Sequence, residues 1–179
     1  MRPPWLRLSL ASVVVALLLP SASAAAAERW ASPASTKTSG LCPAVDPCAL
    51  DHAITGAASG DEVIVSPGTY AVAKPLLSFV PITLRGVAGA ARPRLVGASS
   101  LKGSVLSFKA GGALRRLALE ASSNDHDALT MEGGSAEDLL LVAAGGDGAK
   151  IVGSPAGTLL RDSVVRTDGT RAGTAALKL

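Results

Sequence analysis

The sequence predicts an all-β protein, a right-handed parallel β-helix (a solenoid) with a short N-terminal capping helix. Three observations lead there. Short strand-forming runs recur in the second half of the chain with a drifting period in the low twenties. Helical periodicity is confined to one stretch near the N-terminus. Aromatic residues are only 3% of 179 residues, while Gly, Ala, Val and Leu dominate. A globular core uses aromatics to fill volume because each buries so much surface. Their scarcity points to a thin core layered from small aliphatic side chains.

Residues 1–27 have the three-part layout of a secretory signal peptide. Arg2 and Arg7 precede an apolar run from Leu8 to Leu19, interrupted only by Ser9 and Ser12. Pro20 ends the run, and Ser21 to Ala27 offers several A-x-A processing sites, of which cleavage after Ala24 or Ala27 is expected. The run falls short of the roughly 20 residues that a membrane span needs. The expectation is a secreted or cell-surface protein without a membrane span after cleavage. Removing the segment takes away two positive charges and no negative one, which lowers the net charge from +3 to +1. The basic balance is therefore no footprint of a nucleic-acid partner.

Residues 28–41 are small and polar and read as a flexible leader. Residues 42–60 read as an N-terminal cap. Cys42 and Cys48 are the only cysteines, and in an oxidising compartment so close a pair is expected to form a local disulfide; free thiols or metal ligands are the alternatives. Asp46 suits a helix N-cap and Pro47 the first helical position. Leu50, Ala53, Ile54, Ala57 and Ala58 then form one apolar stripe, and Gly60 closes the helix.

Residues 61–179 read as coils. Val63 to Val65 is closed by Pro67-Gly68, and further runs follow at 82–84, 94–96, 105–108, 117–119, 129–131, 139–142, 151–152, 164–165 and 177–179. Phe108, Met131, Val152 and Leu179 align as one set at intervals of 23, 21 and 27 residues. Leu117, Leu139 and Ser163 form a second, at intervals of 22 and 24. Such a period with several strands and no helix per unit is a solenoid signature. Leucine-rich repeats need a stricter Leu and Asn ladder, and ankyrin-type repeats need helices. The chain stops at Leu177-Lys178-Leu179, within what reads as the first strand of another coil, so the solenoid is expected to be incomplete at its C-terminus. End-to-end self-association is the other way to cover such an end.

The stretch Cys42-Pro43, Asp46-Pro47-Cys48-Ala49-Leu50, Ala53-Ile54, Gly60 to Val65 and Pro67-Gly68-Thr69-Tyr70 resembles the N-terminal cap and first coil of the pectate-lyase-like β-helix superfamily. The resemblance covers residues 42–70 well and the remainder only as a pattern. It implies that the helix lies across the open N-terminal end of the coil, with Gly60 and Gly68 at turns and Tyr70 sealing the first rung. It carries over no catalytic residue.

The turns hold the residues that could do chemistry. Asp125 lies six residues beyond Leu119, and Asp147 six beyond Leu141. Stacked coils would set these carboxylates about one strand spacing apart. A cation between them would relieve their repulsion, and calcium suits oxygen ligands. The competing reading is that Asp and Asn beside Gly are selected by tight turns alone. Calcium is the one cofactor that these residues suggest. His126 is a lone turn histidine, expected in solvent, and His52 is expected on the face of the cap helix. Arg115, Arg116, Lys150, Arg161, Arg166 and Arg171 are expected on outward positions, where they serve solubility or meet an acidic sugar. Beyond Tyr70 the coils offer Phe79 and Phe108, both expected to pack inward.

Two functions follow. The first is an exported, non-catalytic scaffold whose partner is an acidic polysaccharide or cell-surface glycan. The second is the N-terminal part of a polysaccharide lyase or glycoside hydrolase. No catalytic residue can be named for it.

Overall fold

The computed structural model describes residues 25–123, 126–153, 157–168 and 175–179. Residues 1–24 of the expected signal segment, with Asp125 and Arg171, lie outside the described residues. The elements begin with β1 (Glu28–Ala31), α1 (Leu50–Thr55), β2 (Glu62–Val65), β3 (Thr69–Val72), β4 (Leu76–Ser78), β5 (Ile82–Gly86), β6 (Arg94–Gly97) and β7 (Leu106–Phe108). They continue with β8 (Gly112–Arg115), β9 (Ala118–Ala121), β10 (Leu129–Met131), β11 (Gly134–Glu137), β12 (Leu140–Ala143), β13 (Ala149–Ile151), β14 (Thr158–Arg161), β15 (Val164–Thr167) and β16 (Leu177–Lys178).

All strand pairs are parallel. Sheet A has the order β1-β2-β5-β8-β11-β14, sheet B β3-β6-β9-β12-β15 and sheet C β4-β7-β10-β13-β16. From β2 onward the chain visits A, B and C in turn, and each strand pairs with the one three places later. This is a parallel β-solenoid. Its register stacks the inward side chains into columns: Val63, Leu84, Leu114, Ala136 and Leu160 in sheet A, and Tyr70, Leu95, Leu119, Leu141 and Val165 in sheet B. Sheet C stacks Leu76, Leu106, Leu129, Ala149 and Leu177. Each fully buried aliphatic contributes about 1.5–3 kcal/mol, so a continuous column stabilises every coil through its neighbours.

The second repeat set holds in the structure. Leu117, Leu139 and Ser163 each precede the in-register residues Ala118, Leu140 and Val164. The first set holds for Phe108 and Met131 and then shifts by one, because Ile151 rather than Val152 pairs with Met131. The loop before β13 is two residues shorter than the one before β10, so counting by apolar type alone overshoots. The final strand, β16, belongs to sheet C beside β13, the sheet that also holds Phe108 and Met131. Phe108 is buried as expected, whereas Phe79 is 69% exposed on a corner.

The leader is corrected at its start, since Glu28–Ala31 forms the first strand of sheet A, in register with Glu62–Val65. Its outer edge is closed by the disulfide loop: Trp30 N donates to Cys42 O at 2.7 Å and Cys48 N to Trp30 O at 2.9 Å. The Cys42–Cys48 disulfide holds that loop. The helix is shorter than its stripe suggested. Ala49, extended at φ −60° and ψ 145°, precedes it, and Gly56 ends it. The bridge between Ala31 and Cys48 keeps the chain extended up to that point, while Asp46 pairs with Lys37 instead of capping. Leu50, Ala53 and Ile54 face inward over β1, β2 and β4. Arg29 is also buried there, donating to Ala53 O at 3.0 Å and Gly40 O at 3.3 Å beside the helix C-terminus. Tyr70 closes the rung by donating toward Ala31 O at 3.1 Å and Ser66 O at 2.9 Å. No helix among the described residues is long and apolar enough to cross a membrane.

Candidate functional site

Sheet A carries the most charged outer surface. Alternation along its strands puts Val63, Leu84, Leu114 and Ala136 inside, so Ile64, Arg85, Arg115 and Glu137 project outward. In register they form one line: Trp30, Ile64, Arg85, Arg115, Glu137 and Arg161. The line spans five strand spacings, about 24 Å. Ile64 is 1% exposed although it faces outward, between Trp30 on one side and Arg85 on the other.

The charges alternate imperfectly along this line. Glu62 grips Arg85 with both oxygens, at 2.6 and 3.0 Å. Glu137 binds Arg161 at 2.8 Å and stands 3.7 Å from Arg115. The hydrogen bonds that Arg85 and Arg161 donate to Glu62 and Glu137 push both guanidiniums above the usual arginine value, so both stay cationic. Arg115 is left with the loosest partner and an exposed side chain.

Beside the line, at the bend from sheet A to sheet B, lies a groove of about 470 Å³. It is lined by Arg85, Arg115, Arg116, Glu137 and Asp138, together with Gly86 and Ala88. In the three later coils the bend takes a left-handed residue, and Arg116, Asp138 and Asp162 supply it at φ 56°, 54° and 49°. Aspartate tolerates this geometry, but arginine does so at a cost. Gly86 is required by close approach, since a Cβ there would lie 2.5 Å from Arg116 O. Arg116 donates to Ala90 O at 2.8 Å and stands 3.7 Å from Asp138, which is paired with Arg92. Five guanidiniums, Arg85, Arg92, Arg115, Arg116 and Arg161, thus meet three carboxylates in ion pairs, Glu62, Glu137 and Asp138, while Glu28 and Asp162 act on Arg85 and Arg161 from further away. A smaller cavity of about 380 Å³ between Ser32, Asp51, Tyr70 and Lys74 has one charge of each sign.

The other basic candidates sit elsewhere. Lys150 lies on sheet C and Arg166 on sheet B. His52 is on the cap helix, 3.4 Å from Gly40 O, as expected. His126 is 1% exposed and not in solvent; its Nδ1 shares a hydrogen bond of 3.0 Å with Ser123 Oγ. The compact turn explains this, because a Cβ on Gly146 would fall 1.8 Å from His126 O.

The carboxylate candidates divide. Asp125 is outside the described residues. Asp147 is 6% exposed and two residues before the paired Ala149, in the column of Asp127. Asp127 Oδ1 accepts from Asp147 N at 2.9 Å, and Asp147 Oδ1 accepts from Ala175 N at 2.9 Å. Lys178 stands 3.5 Å from Asp147 Oδ2. Each carboxylate bonds to the amide of the next coil, and Asp147 already has an ammonium neighbour. Asp147 thus spends its oxygens on an amide and an ammonium, and its expected pairing with Asp125 lies outside the described residues. The one close group of three potential ligands among the described residues is Cys42, Cys48 and His52, and its sulfurs are joined in the disulfide.

Trp30 is the residue that sequence reading missed. Its signal was the alternation in Glu28-Arg29-Trp30-Ala31, whose burial runs out, in, out, in. No family model, curated protein or solved structure matches the chain.

Proposed function

We propose that the chain is an exported, non-catalytic β-solenoid of the pectate-lyase-like type, a surface scaffold that binds acidic polysaccharide along the outer line of sheet A. The observation that carries this reading is the in-register pair Arg85 and Arg115, with Arg116 beside them in an open groove. Guanidiniums bind carboxylates in a planar, two-pronged geometry. A line of them at strand spacing matches a linear polymer that repeats its charge. Trp30 at the start of the line gives an aromatic face against which a sugar ring can pack. Export is supported by the basic, apolar and small-residue layout of residues 1–27 and by the disulfide.

The non-catalytic part rests on the carboxylates of the groove. Glu62, Glu137 and Asp138 are all engaged by arginines, so none of the three stands free to act on a substrate. Calorimetric titration with polygalacturonate and with neutral dextran tests the reading. The account expects binding of the first that weakens as salt rises, and none of the second. Ultraviolet-absorbing unsaturated ends appearing during the titration would show cleavage and overturn the non-catalytic assignment.

A further inference from the structure

The N-terminal rung contains a buried carboxylate whose charge nothing among the described residues answers. Asp61 is 8% exposed. Its Oδ1 accepts from Ala27 N at 2.9 Å and its Oδ2 from Ala58 N at 2.8 Å. Its own N donates to Ala58 O at 3.1 Å, and its carbonyl accepts from Thr83 N at 2.9 Å. Both carboxylate oxygens therefore hold neutral amides, and none of the ion pairs among the described residues includes Asp61. A carboxylate this far from water normally has a countercharge.

The sequence supplies one at the right atom. Ala24-Ala25-Ala26 places small residues at the third and first positions before the Ala26–Ala27 bond, the pattern that export processing recognises. We infer that the mature chain begins at Ala27 and that its new α-ammonium forms an ion pair with the buried Asp61 carboxylate. Water adds across the Ala26–Ala27 peptide bond. The C–N bond breaks, Ala26 leaves with the carboxylate, and Ala27 keeps the amine, which is protonated at neutral pH. The group that donates to Asp61 Oδ1 as an amide then does so as a cation.

The two neighbouring cuts serve the fold less well. Cleavage after Ala27 removes the donor to Asp61 and also the carbonyl that accepts from Glu62 N at 2.9 Å. Cleavage after Ala24 leaves a neutral amide on Asp61. The charge also adds to the pairing of β1, which otherwise closes the sheet edge through four residues.

The inference rests on the export reading, and the test separates the two. The full chain is expressed in an exporting bacterial host, and the product is identified by intact mass and N-terminal sequencing. The expected product is exported and starts at Ala27. An exported product with any other first residue overturns the inference and leaves export standing; a chain retained in the cell with residues 1–26 attached overturns both. On the product starting at Ala27, the α-amine is then acylated with limiting reagent at neutral pH beside a free peptide Ala-Glu-Arg. Acylation at least fivefold slower than in the peptide is expected. Equal rates overturn the ion pair, and this comparison does not depend on any variant folding.

Discussion

Arg85 and Arg115 occupy directly opposed positions of β5 and β8, so two guanidiniums leave neighbouring strands on the same face. Like charges so placed repel. Glu62 answers the first with two short bonds, whereas Glu137 is drawn toward Arg161 and leaves Arg115 at 3.7 Å. The line is therefore not self-neutralised at its centre. An outside carboxylate that settles on Arg115 relieves the repulsion and also loosens nothing that the fold needs.

Substituting that residue separates binding from folding. Arg115→Gln is expected to weaken binding of polygalacturonate about tenfold, the loss of one charge-assisted pair. Its melting temperature should stay close to that of the parent, because the side chain is exposed and its salt bridge is long. Paired calorimetric titration and thermal melting check both halves.

Asp147 is expected to stabilise the coil without a metal. Its carboxylate accepts the Ala175 amide and faces Lys178. Asp147→Ala should cost about 2 kcal/mol, the usual effect of losing a hydrogen bond to a charged group. Millimolar calcium should leave the melting temperature of the parent unchanged; a calcium-dependent rise would restore the metal reading.

Tyr70 sets an alkaline limit. Burial pushes its phenol well above the ordinary tyrosine value, partly offset by the bond to Ser66. A group whose proton is held more tightly in the folded state contributes stability that is full below the unfolded value, near 10, and is lost as pH rises above it. The parent should lose stability above about pH 10 more steeply than Tyr70→Phe. At pH 7 the variant should be less stable by about 1 kcal/mol, for the lost hydrogen bond. Denaturant melts of both proteins from pH 7 to 11 measure the difference.

Gly134 tests the stacking itself. It lies over Gly112 at φ 91°, where a Cβ would fall 2.3 Å from Gly112 O. Gly134→Ala should lower stability by at least about 2 kcal/mol, from clash and left-handed strain together. Gly153→Ala, where a Cβ meets nothing within 4 Å, should leave thermal unfolding almost unchanged. Similar effects of the two would argue against the coil register.

The sheets differed in how plainly the sequence announced them. Sheets B and C carry strands such as Leu140 to Ala143 and Leu129 to Met131, whose apolar runs are dense enough to stand out. The later strands of sheet A read Gly-Ala-Leu-Arg, Gly-Ser-Ala-Glu and Thr-Leu-Leu-Arg. The first two each contribute one buried aliphatic, Leu114 and Ala136, and otherwise look like turn or surface text. Their place in the sheet comes from the neighbours above and below, which is information from 22 to 30 residues away. The basic residues were visible as outward charges, but their alignment depends on that same register. Trp30 was hidden because a four-residue edge strand, held by a disulfide loop that follows it, resembles a polar leader. The disulfide itself was readable from spacing and compartment.

Trp30 also offers the most direct test. The chain has two tryptophans, Trp5 and Trp30, and processing as inferred leaves Trp30 alone. Its emission therefore reports on one end of the outer line of sheet A. Titrating the processed protein with polygalacturonate should change that emission saturably, with a midpoint that moves to higher concentration in Arg115→Gln, and dextran should have no effect. An emission that ignores polygalacturonate, or responds equally to dextran, would contradict a polyanion lying along Trp30, Arg85 and Arg115.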